Sequence, residues 1–316
     1  MSYPYTLTTP EPELQYEEFD GARFGYVEWP AQGLPWGGEA ESGGTRPRGR
    51  VLLVHGFGEY TRVQNRLMDH LAQHGYESLA FDQRGAGTTS PGKLKGRTDE
   101  QHTMGDLEHF VAKSLEECEP RGIPLFLWGH SMGGGIVLSY ACRGRARHKV
   151  RGFAASGPLI ALHAHSQPAA VTRAVAPLLA KWLPRTSIDT GLDLEGITSD
   201  REYRAAMAKD TQLVPLYGTF RQIYDFLERG KLLDKDGGAY VRKNFPADAA
   251  VAVFHGADDT INDPAASQRF VERCPATDKT LKLYKGMRHS IFSMESEDAV
   301  QQVFADFVQW LDQRAQ

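Results

Sequence analysis

Short runs of consecutive apolar residues alternate along the chain with longer segments in which apolar residues recur every three or four positions. The runs have the length of strands and cover residues 51–54, 78–81, 125–128, 152–156, 250–254 and 281–284. Continuous apolar runs are typical of strands buried on both faces of a sheet. The segments between them have helical spacing, as at 63–71, 107–115 and 300–311. This alternation predicts an α/β protein with a mostly parallel central sheet flanked by helices.

Three stretches depart from the alternation. Residues 15–19 and 23–29 flank an Asp-Gly pair, which predicts a β-hairpin. Residues 30–50 are rich in Gly, Pro and Arg and predict a long surface loop. Residues 158–230 contain two amphipathic helical patterns where the next strand would be expected. We read this segment as an insertion into a single domain that covers residues 1–316.

Composition limits the class of protein. A chain of 316 residues with 41% apolar and 24% charged residues fits one soluble α/β domain with an insertion. The net charge of −4 gives no indication of a nucleic-acid partner. Three widely spaced cysteines, Cys118, Cys142 and Cys274, form neither a disulfide framework nor a metal-binding pattern. Because the chain shows no membrane-spanning run and no signal peptide, we expect a cytoplasmic, non-secreted protein that can still rest on a membrane surface.

The strongest chemical signal lies at residues 129–133, with the sequence GHSMG, between an apolar run and a helical pattern. A G-x-S-x-G sequence in a strand–turn–helix setting is typical of a nucleophile elbow. Its glycines leave room in the sharp turn that exposes the serine hydroxyl. We therefore predict that Ser131 is a nucleophile, and the alternative is a structural glycine turn.

A serine hydroxyl needs a base, because it is a weak nucleophile at neutral pH. In proteins with such an elbow, the chain order is Ser, then Asp or Glu, then His. His289 follows the last predicted strand and is the best candidate base. The acid should follow the run that ends at residue 254, where the usual G-x-x-D spacing favours Asp259 over Asp258. This acid would hold the imidazole in one tautomer and stabilise its charged form.

The transition state of acyl transfer carries an oxyanion that needs preorganised donors. We predict that the backbone N–H groups of Met132 and Phe57 supply them, since one follows the nucleophile and the other lies in the glycine-flanked loop after residue 54. Backbone position matters more than side-chain identity at both places. This chemistry requires no metal ion and no organic cofactor.

The inserted segment is the best candidate for a cover over this site. Its two apolar stripes consist of Val171, Val175, Leu178, Leu179, Trp182 and Leu183, and of Leu216, Phe220, Ile223, Tyr224 and Leu227. Such stripes either pack on the core or form a cap that supplies an apolar acyl pocket. The position of the insertion, after the strand next to the elbow, favours a cap. An exposed apolar edge on a cap could also enter a lipid surface.

Together, these motifs resemble the monoacylglycerol lipases of the α/β-hydrolase fold, and most closely the yeast members of that family. The matching motifs lie at residues 55–59, 81–87, 129–135, 255–259 and 286–289. Further short segments match at 157–160, 189–194, 196–200 and 259–264. The resemblance runs from about residue 15 to the C-terminus and includes the inserted segment. It implies the α/β-hydrolase fold, with Ser131, Asp259 and His289 as the triad and with Phe57 and Met132 at the oxyanion hole.

The resemblance also implies where the protein works. The family acts at lipid droplets and membranes, and an apolar tunnel in the cap receives the acyl chain. We expect substrate contacts from Glu59, Leu159, Ile160, Leu178, Leu183 and Ile261. In the animal enzymes a cysteine lies three residues after the triad aspartate, whereas this chain has Asn262. The expected partners are monoacylglycerol and a lipid surface (of droplets or the endoplasmic reticulum) touched by the cap, with no nucleic acid.

The sequence thus predicts a serine hydrolase that splits monoacylglycerol into glycerol and a fatty acid through an acyl-enzyme. A lysophospholipase or general carboxylesterase is the nearest alternative, because an apolar cap does not select the polar head. An acyltransferase would use the same triad with an alcohol in place of water. A non-catalytic lipid-binding protein on a hydrolase scaffold is a further alternative, and the complete Ser-Asp-His pattern argues against it.

Overall fold

The fold is built on a central β-sheet, seen in a computed structural model that describes residues 3–32, 46–191 and 193–316. The strands in these ranges are β1 (Gln15–Phe19), β2 (Ala22–Trp29), β3 (Gly49–Val54), β4 (Tyr76–Phe81), β5 (Leu125–His130), β6 (Gly152–Ser156), β7 (Ser187–Asp189), β8 (Tyr217–Thr219), β9 (Ala250–Gly256) and β10 (Lys279–Tyr284). Every apolar run predicted as a strand forms one. Strand β3 begins at Gly49, inside the stretch predicted as a loop, and most of that loop lies outside the described residues.

Eight of the strands in the described ranges form one sheet in the order β1-β2-β4-β3-β5-β6-β9-β10. Strands β4, β3, β5, β6, β9 and β10 pair in parallel, and β2 is antiparallel to both of its neighbours. The predicted hairpin joins β1 to β2, and both residues of its Asp20-Gly21 turn have positive φ. Ligands bind such sheets at the carboxyl ends of the parallel strands. The loops after β3, β5, β9 and β10 therefore converge on one edge.

Helices cover both faces of this sheet. In the described ranges they are α1 (Asn65–Gln73), α2 (Glu100–Arg121), α3 (Met132–Arg143), α4 (Ala170–Trp182), α5 (Leu194–Ile197), α6 (Arg201–Met207), α7 (Phe220–Asp234), α8 (Ala239–Asn244), α9 (Pro264–Arg273) and α10 (Glu297–Asp312). Helix α9 was not expected from the apolar pattern. It begins where Asp263 accepts a hydrogen bond from the Ala265 amide and Pro264 occupies the first turn. Across the described part of the chain, no helix is both long and apolar enough to cross a membrane.

The two faces of the sheet carry separate apolar cores. Leu52 and Val54 of β3 pack in one core with α2 and α3, while Val51 and Leu53 pack in the other with α1 and α10. All four side chains are buried. Successive side chains of a strand point to opposite faces, so a continuous apolar run fills both cores at once. This explains why β3 has no polar alternation.

The segment between β6 and β9 leaves the sheet and forms helices α4 to α8 with the small β7–β8 ribbon. A third apolar cluster, which includes Ile197, Met207 and Leu216, joins this segment to the loops at the carboxyl edge of the sheet. Hydrogen bonds also attach it to the loop between β10 and α10. The Ser290 amide donates to the Ile197 carbonyl at 2.9 Å, and the Thr198 hydroxyl donates to a carbonyl of the same loop. The inner part of the insertion is thus fixed to the loops at the carboxyl edge of the sheet.

Candidate active site

The turn between β5 and α3 holds Ser131 in a backbone conformation that non-glycine residues rarely adopt, with φ 53° and ψ −117°. The turn is too tight for side chains on either side. A Cβ at residue 133 would lie 2.0 Å from the Val54 carbonyl oxygen, and one at residue 129 would lie 2.3 Å from the Gly133 carbonyl oxygen. Both contacts are with backbone, which cannot rotate away. The glycines of the motif are therefore required by the packing of the elbow.

The loops after β9 and β10 bring Asp259 and His289 together. The Nδ1 of His289 donates to Oδ2 of Asp259 at 2.7 Å. Asp259 is 2% exposed, while Asp258 is exposed. The other oxygen of Asp259 accepts hydrogen bonds from the backbone amides of Ile261 at 2.7 Å and Asn262 at 3.0 Å. Of the two neighbouring carboxylates, the structure thus places Asp259 against the imidazole.

The electrostatics of this pair favour an ionised carboxylate. Burial alone would raise the pKa of Asp259. The charge of His289 and the hydrogen bonds from His255 and His289 outweigh burial and hold this pKa well below its usual range. An ionised carboxylate only accepts hydrogen bonds, so Nδ1 of His289 carries a proton. Its Nε2 is then free to accept one, as a general base requires.

A cavity of about 70 Å³ lies against Ser131, His289, Phe57 and Met132. Met132 is the first residue of α3, so its amide belongs to the donors that a helix leaves unpaired at its start. The remaining lining is mostly apolar and comes from both the core and the insertion: Leu159, Leu162, Ile197, Met207, Leu213, Leu216, Phe226 and Ile261. The arrangement fits an apolar chain next to the serine hydroxyl.

A wider groove of about 460 Å³ lies next to this cavity. Leu159 and Leu162 line both spaces, so they form the boundary between them. Helices α4 and α7 form the far walls, with Pro177 and Leu227 among the lining residues. Cationic side chains such as Lys231 lie at its rim. A larger groove, lined partly by the insertion, therefore adjoins the cavity beside Ser131.

The residues predicted to bind substrate separate into three groups. Glu59, Leu159 and Ile261 line the cavity beside Ser131, and Ile160 lines only the adjoining groove. Leu178 and Leu183, by contrast, line neither space and are 60% and 49% exposed. The apolar stripe of α4 faces outward. Helical periodicity shows that a helix has an apolar face, but it does not show which way that face points.

Glu59 is a buried carboxylate in a mostly apolar cavity. It accepts hydrogen bonds from the Gly56 amide at 2.7 Å and from Nε2 of Gln64 at 3.0 Å. Its other oxygen lies 3.6 Å from Nε2 of His130. Burial lowers the pKa of His130 to about 4, so this ring is neutral at neutral pH. Through the Gly56 amide, Glu59 holds the turn that contains Phe57.

Sequence reasoning assigned no role to two residues that the structure places in this site. The side-chain Nδ2 of Asn262 donates to the Gly157 carbonyl at 2.7 Å and lies 3.5 Å from the Ser131 hydroxyl oxygen. Nε2 of His255 lies 2.9 Å from Oδ2 of Asp259, the oxygen that His289 also contacts. The spacing of four residues between His255 and Asp259, just after a predicted strand, was the available signal for the second contact.

The chain is similar to known proteins along nearly its whole length. The family described as "Serine aminopeptidase, S33" matches residues 45–297. A monoglyceride lipase of Saccharomyces cerevisiae is 58% identical over 310 residues, which cover 98% of this chain and 96% of that protein. The crystal structure of a soluble variant of the S. cerevisiae enzyme with a substrate analog superimposes with a TM-score of 0.93 at 57% identity, covering 99% of both chains. The structure of a Paleococcus ferrophilus monoacylglycerol lipase gives 0.72 at 26% identity, covering 96% and 99%.

Proposed function

The chain belongs to the serine hydrolase family described as "Serine aminopeptidase, S33", with the α/β-hydrolase fold, and within this family we propose that it is a monoacylglycerol lipase. The observation that carries the proposal is the 58% identity to the S. cerevisiae monoglyceride lipase across 98% of the chain, insertion included. The resemblance and the fold expected from the motifs are thereby confirmed. The reaction converts monoacylglycerol and water into glycerol and a fatty acid.

Acylation begins when Ser131 attacks the ester carbonyl while His289 takes the hydroxyl proton on Nε2. The Met132 and Phe57 amides stabilise the oxyanion of the tetrahedral intermediate. The charged imidazole is held by the Asp259 carboxylate, at 2.7 Å from Nδ1. His289 then gives its proton to the glycerol oxygen, and the carbon–oxygen bond to glycerol breaks. The fatty acyl group remains on Ser131 as an ester.

Deacylation repeats these steps with water as the nucleophile. His289 removes a proton from water, the resulting hydroxide attacks the acyl carbonyl, and the same two amides hold the oxyanion. Collapse of the intermediate breaks the bond to Ser131, which regains its proton from His289. The fatty acid then leaves. All the proton transfers in this cycle take place between the protein, water and the ester substrate.

The cavities support a long apolar acyl group and a small polar head. The acyl chain would occupy the path from the cavity beside Ser131 past Leu159 and Leu162 into the groove under α4. The glycerol hydroxyls would lie toward Glu59, the charged acceptor in the cavity. The insertion at 158–230 would act as a cap, because its residues line both spaces.

A panel of substrates tests the polar head. We expect kcat/KM for long-chain monoacylglycerol to exceed those for diacylglycerol and lysophosphatidylcholine by at least about tenfold. The cavity beside Ser131 is small, and a phosphate head would place its charge beside the Glu59 carboxyl group. A short p-nitrophenyl ester has neither a glycerol head group nor a long acyl chain, so its hydrolysis measures the activity of the triad alone. Equal rates on all four esters would point to a general carboxylesterase, and faster turnover of lysophosphatidylcholine to a lysophospholipase.

The outward face of α4 supports contact with a lipid surface. Val171, Leu178 and Trp182 are 75%, 60% and 72% exposed, a costly arrangement in water. An amphipathic helix of this kind lies in the interfacial plane of a membrane. We infer that α4 rests on lipid droplets or on the endoplasmic reticulum membrane, so that the groove below it opens toward the substrate.

Replacing both Leu178 and Trp182 by Glu should lower partitioning into phosphatidylcholine vesicles by about tenfold or more, since each buried apolar side chain contributes about 1.5–3 kcal/mol. Vesicle co-sedimentation measures it. Hydrolysis of water-soluble p-nitrophenyl acetate should stay unchanged. Leu283→Glu is the matched control, because this leucine is 44% exposed on β10, away from α4. Equal partitioning of the double variant and the control would contradict lipid contact through α4.

A further inference from the structure

His255 forms a contact with Asp259 that the reaction outlined above does not use. Its Nε2 lies 2.9 Å from Oδ2, the same oxygen that accepts the hydrogen bond of His289. On the other side of the ring, Nδ1 lies 2.8 Å from the hydroxyl oxygen of Ser267 in α9. His255 is 0% exposed. A second imidazole thus contacts the acid at the same oxygen as the first.

The directions of these hydrogen bonds follow from the carboxylate. Because an ionised carboxylate only accepts, both imidazoles must present an N–H group to Oδ2. A neutral His255 then carries its proton on Nε2, and its Nδ1 accepts from the Ser267 hydroxyl. Oδ1 of Asp259 is held separately, by the amides of Ile261 and Asn262. Each carboxylate oxygen therefore has two donors.

The two donors to Oδ2 differ in what they do during turnover. His289 gains and loses a proton twice in each cycle, so its bond to Asp259 changes strength as the reaction proceeds. His255 has no route to the reacting atoms, and its ring is fixed at both nitrogens. Among the described residues, it is the partner of Oδ2 that stays constant while the base changes charge.

We propose that His255 is a positioning residue for the hydrolysis: it fixes the Asp259 carboxylate in the orientation that His289 needs. It acts on the base through the acid and touches neither substrate nor Ser131. The inference rests on the proposed function only in that Ser131, Asp259 and His289 work as a triad. It does not depend on which ester is cleaved.

Few other titratable groups in the described ranges face this pair. The ring of His130 lies 4.8 Å from that of His289, and Glu59 lies 3.6 Å behind His130. Neither His130 nor Glu59 is a hydrogen-bond partner of His255. Loss of the His255 N–H removes the positive end of a dipole that points at the His289–Asp259 pair, so the pair binds its proton more tightly. The acid limb of the kcat/KM profile should therefore move to higher pH.

Three replacements separate positioning from packing. His255→Phe keeps a ring without donors, His255→Gln puts an amide near the place of Nε2, and His255→Asn puts one near the place of Nδ1. For p-nitrophenyl acetate, we expect kcat per fluorophosphonate-titrated site to fall about tenfold to a hundredfold in the Phe and Asn variants, as for other groups that orient a reactive residue from behind. KM should stay unchanged, and the acid limb should move to higher pH. His255→Gln should restore most of the rate and the native profile.

Wild-type kcat per titrated site and an unmoved acid limb in His255→Phe would overturn the proposal, as would a Gln variant as slow as the Phe variant. If the His255 variants do not fold, Ser267→Ala decides, because it loosens the ring and leaves the Asp259 contact in place. A smaller shift of the acid limb in the same direction is then expected, and an unmoved limb overturns the proposal. Activity retained in Ser131→Ala would instead refute the triad itself, which keeps the two failures distinct.

Discussion

Ser131→Ala is expected to lower kcat for monoacylglycerol by at least about 10⁴-fold and to abolish labelling by a fluorophosphonate. The Ser131 hydroxyl is the group that forms the acyl-enzyme, so its loss leaves only the much slower direct attack of water on the bound ester. Folding should be unaffected, because the Ser131 side chain makes no capping hydrogen bond to α3. Hydrolysis of radiolabelled monoolein and gel detection of the fluorophosphonate label measure the two effects.

A matched control is Ser293→Ala, which removes a buried hydroxyl that does not line the cavity beside Ser131. This variant should keep both label and activity. The unfolding temperature of Ser131→Ala should lie close to that of the unmodified protein. Hydrolysis or labelling that survives in a folded Ser131→Ala protein would refute the assignment of the nucleophile, and with it the acyl-enzyme mechanism.

The second large effect is expected at the acid. Asp259→Asn should reduce kcat by about 10³- to 10⁴-fold with little change in KM. The Ile261 and Asn262 amides both donate to one oxygen of this side chain, so the carbonyl of an asparagine would turn toward them. Its NH₂ group would then face His289 and force the proton onto Nε2. An imidazole in that tautomer cannot take the proton of Ser131.

Asp258→Asn provides the comparison, because it removes the neighbouring carboxylate, which is exposed. Its kcat should stay within about twofold of the unmodified protein, as for most surface substitutions. Steady-state kinetics on a p-nitrophenyl ester, with circular dichroism to verify folding, distinguishes the two variants. Equal losses in both, or a larger loss in Asp258→Asn, would show that the acid has been assigned to the wrong carboxylate.

Sequence reasoning works for the sheet because burial on both faces demands continuous apolar runs. Val51 and Leu53 pack in one core, and Leu52 and Val54 pack in the other, so a run of four apolar residues is enough to identify the strand. The candidate triad is predictable for a related reason. An elbow fixes the order in which acid and base follow, and each comes directly after a strand.

Other features depend on direction or on distant contacts. The stripe of Leu178 and Leu183 has helical periodicity in any orientation, and its outward exposure depends on how α4 packs against α7. In the sequence, His255 has the features of a residue at the end of a buried strand. Its contact with Asp259 becomes evident only when the turn after β9 is seen in three dimensions. Helix α9 lacks a broad apolar face, although its Asp263-Pro264 start was a recognisable signal.

The hydrogen bonds between the insertion and the loop that carries His289 have a consequence for protein engineering. Ser290 and Thr198 each join one of these segments to the other, so residues 194–199 act as a brace for the base. Exchange of the whole insertion between relatives would therefore alter the chemistry as well as the substrate range. A narrower chimera would replace only α4 and the turns beside it, and would keep residues 194–199 together with the native loop that carries His289. Such a chimera would change only the selection of the acyl chain.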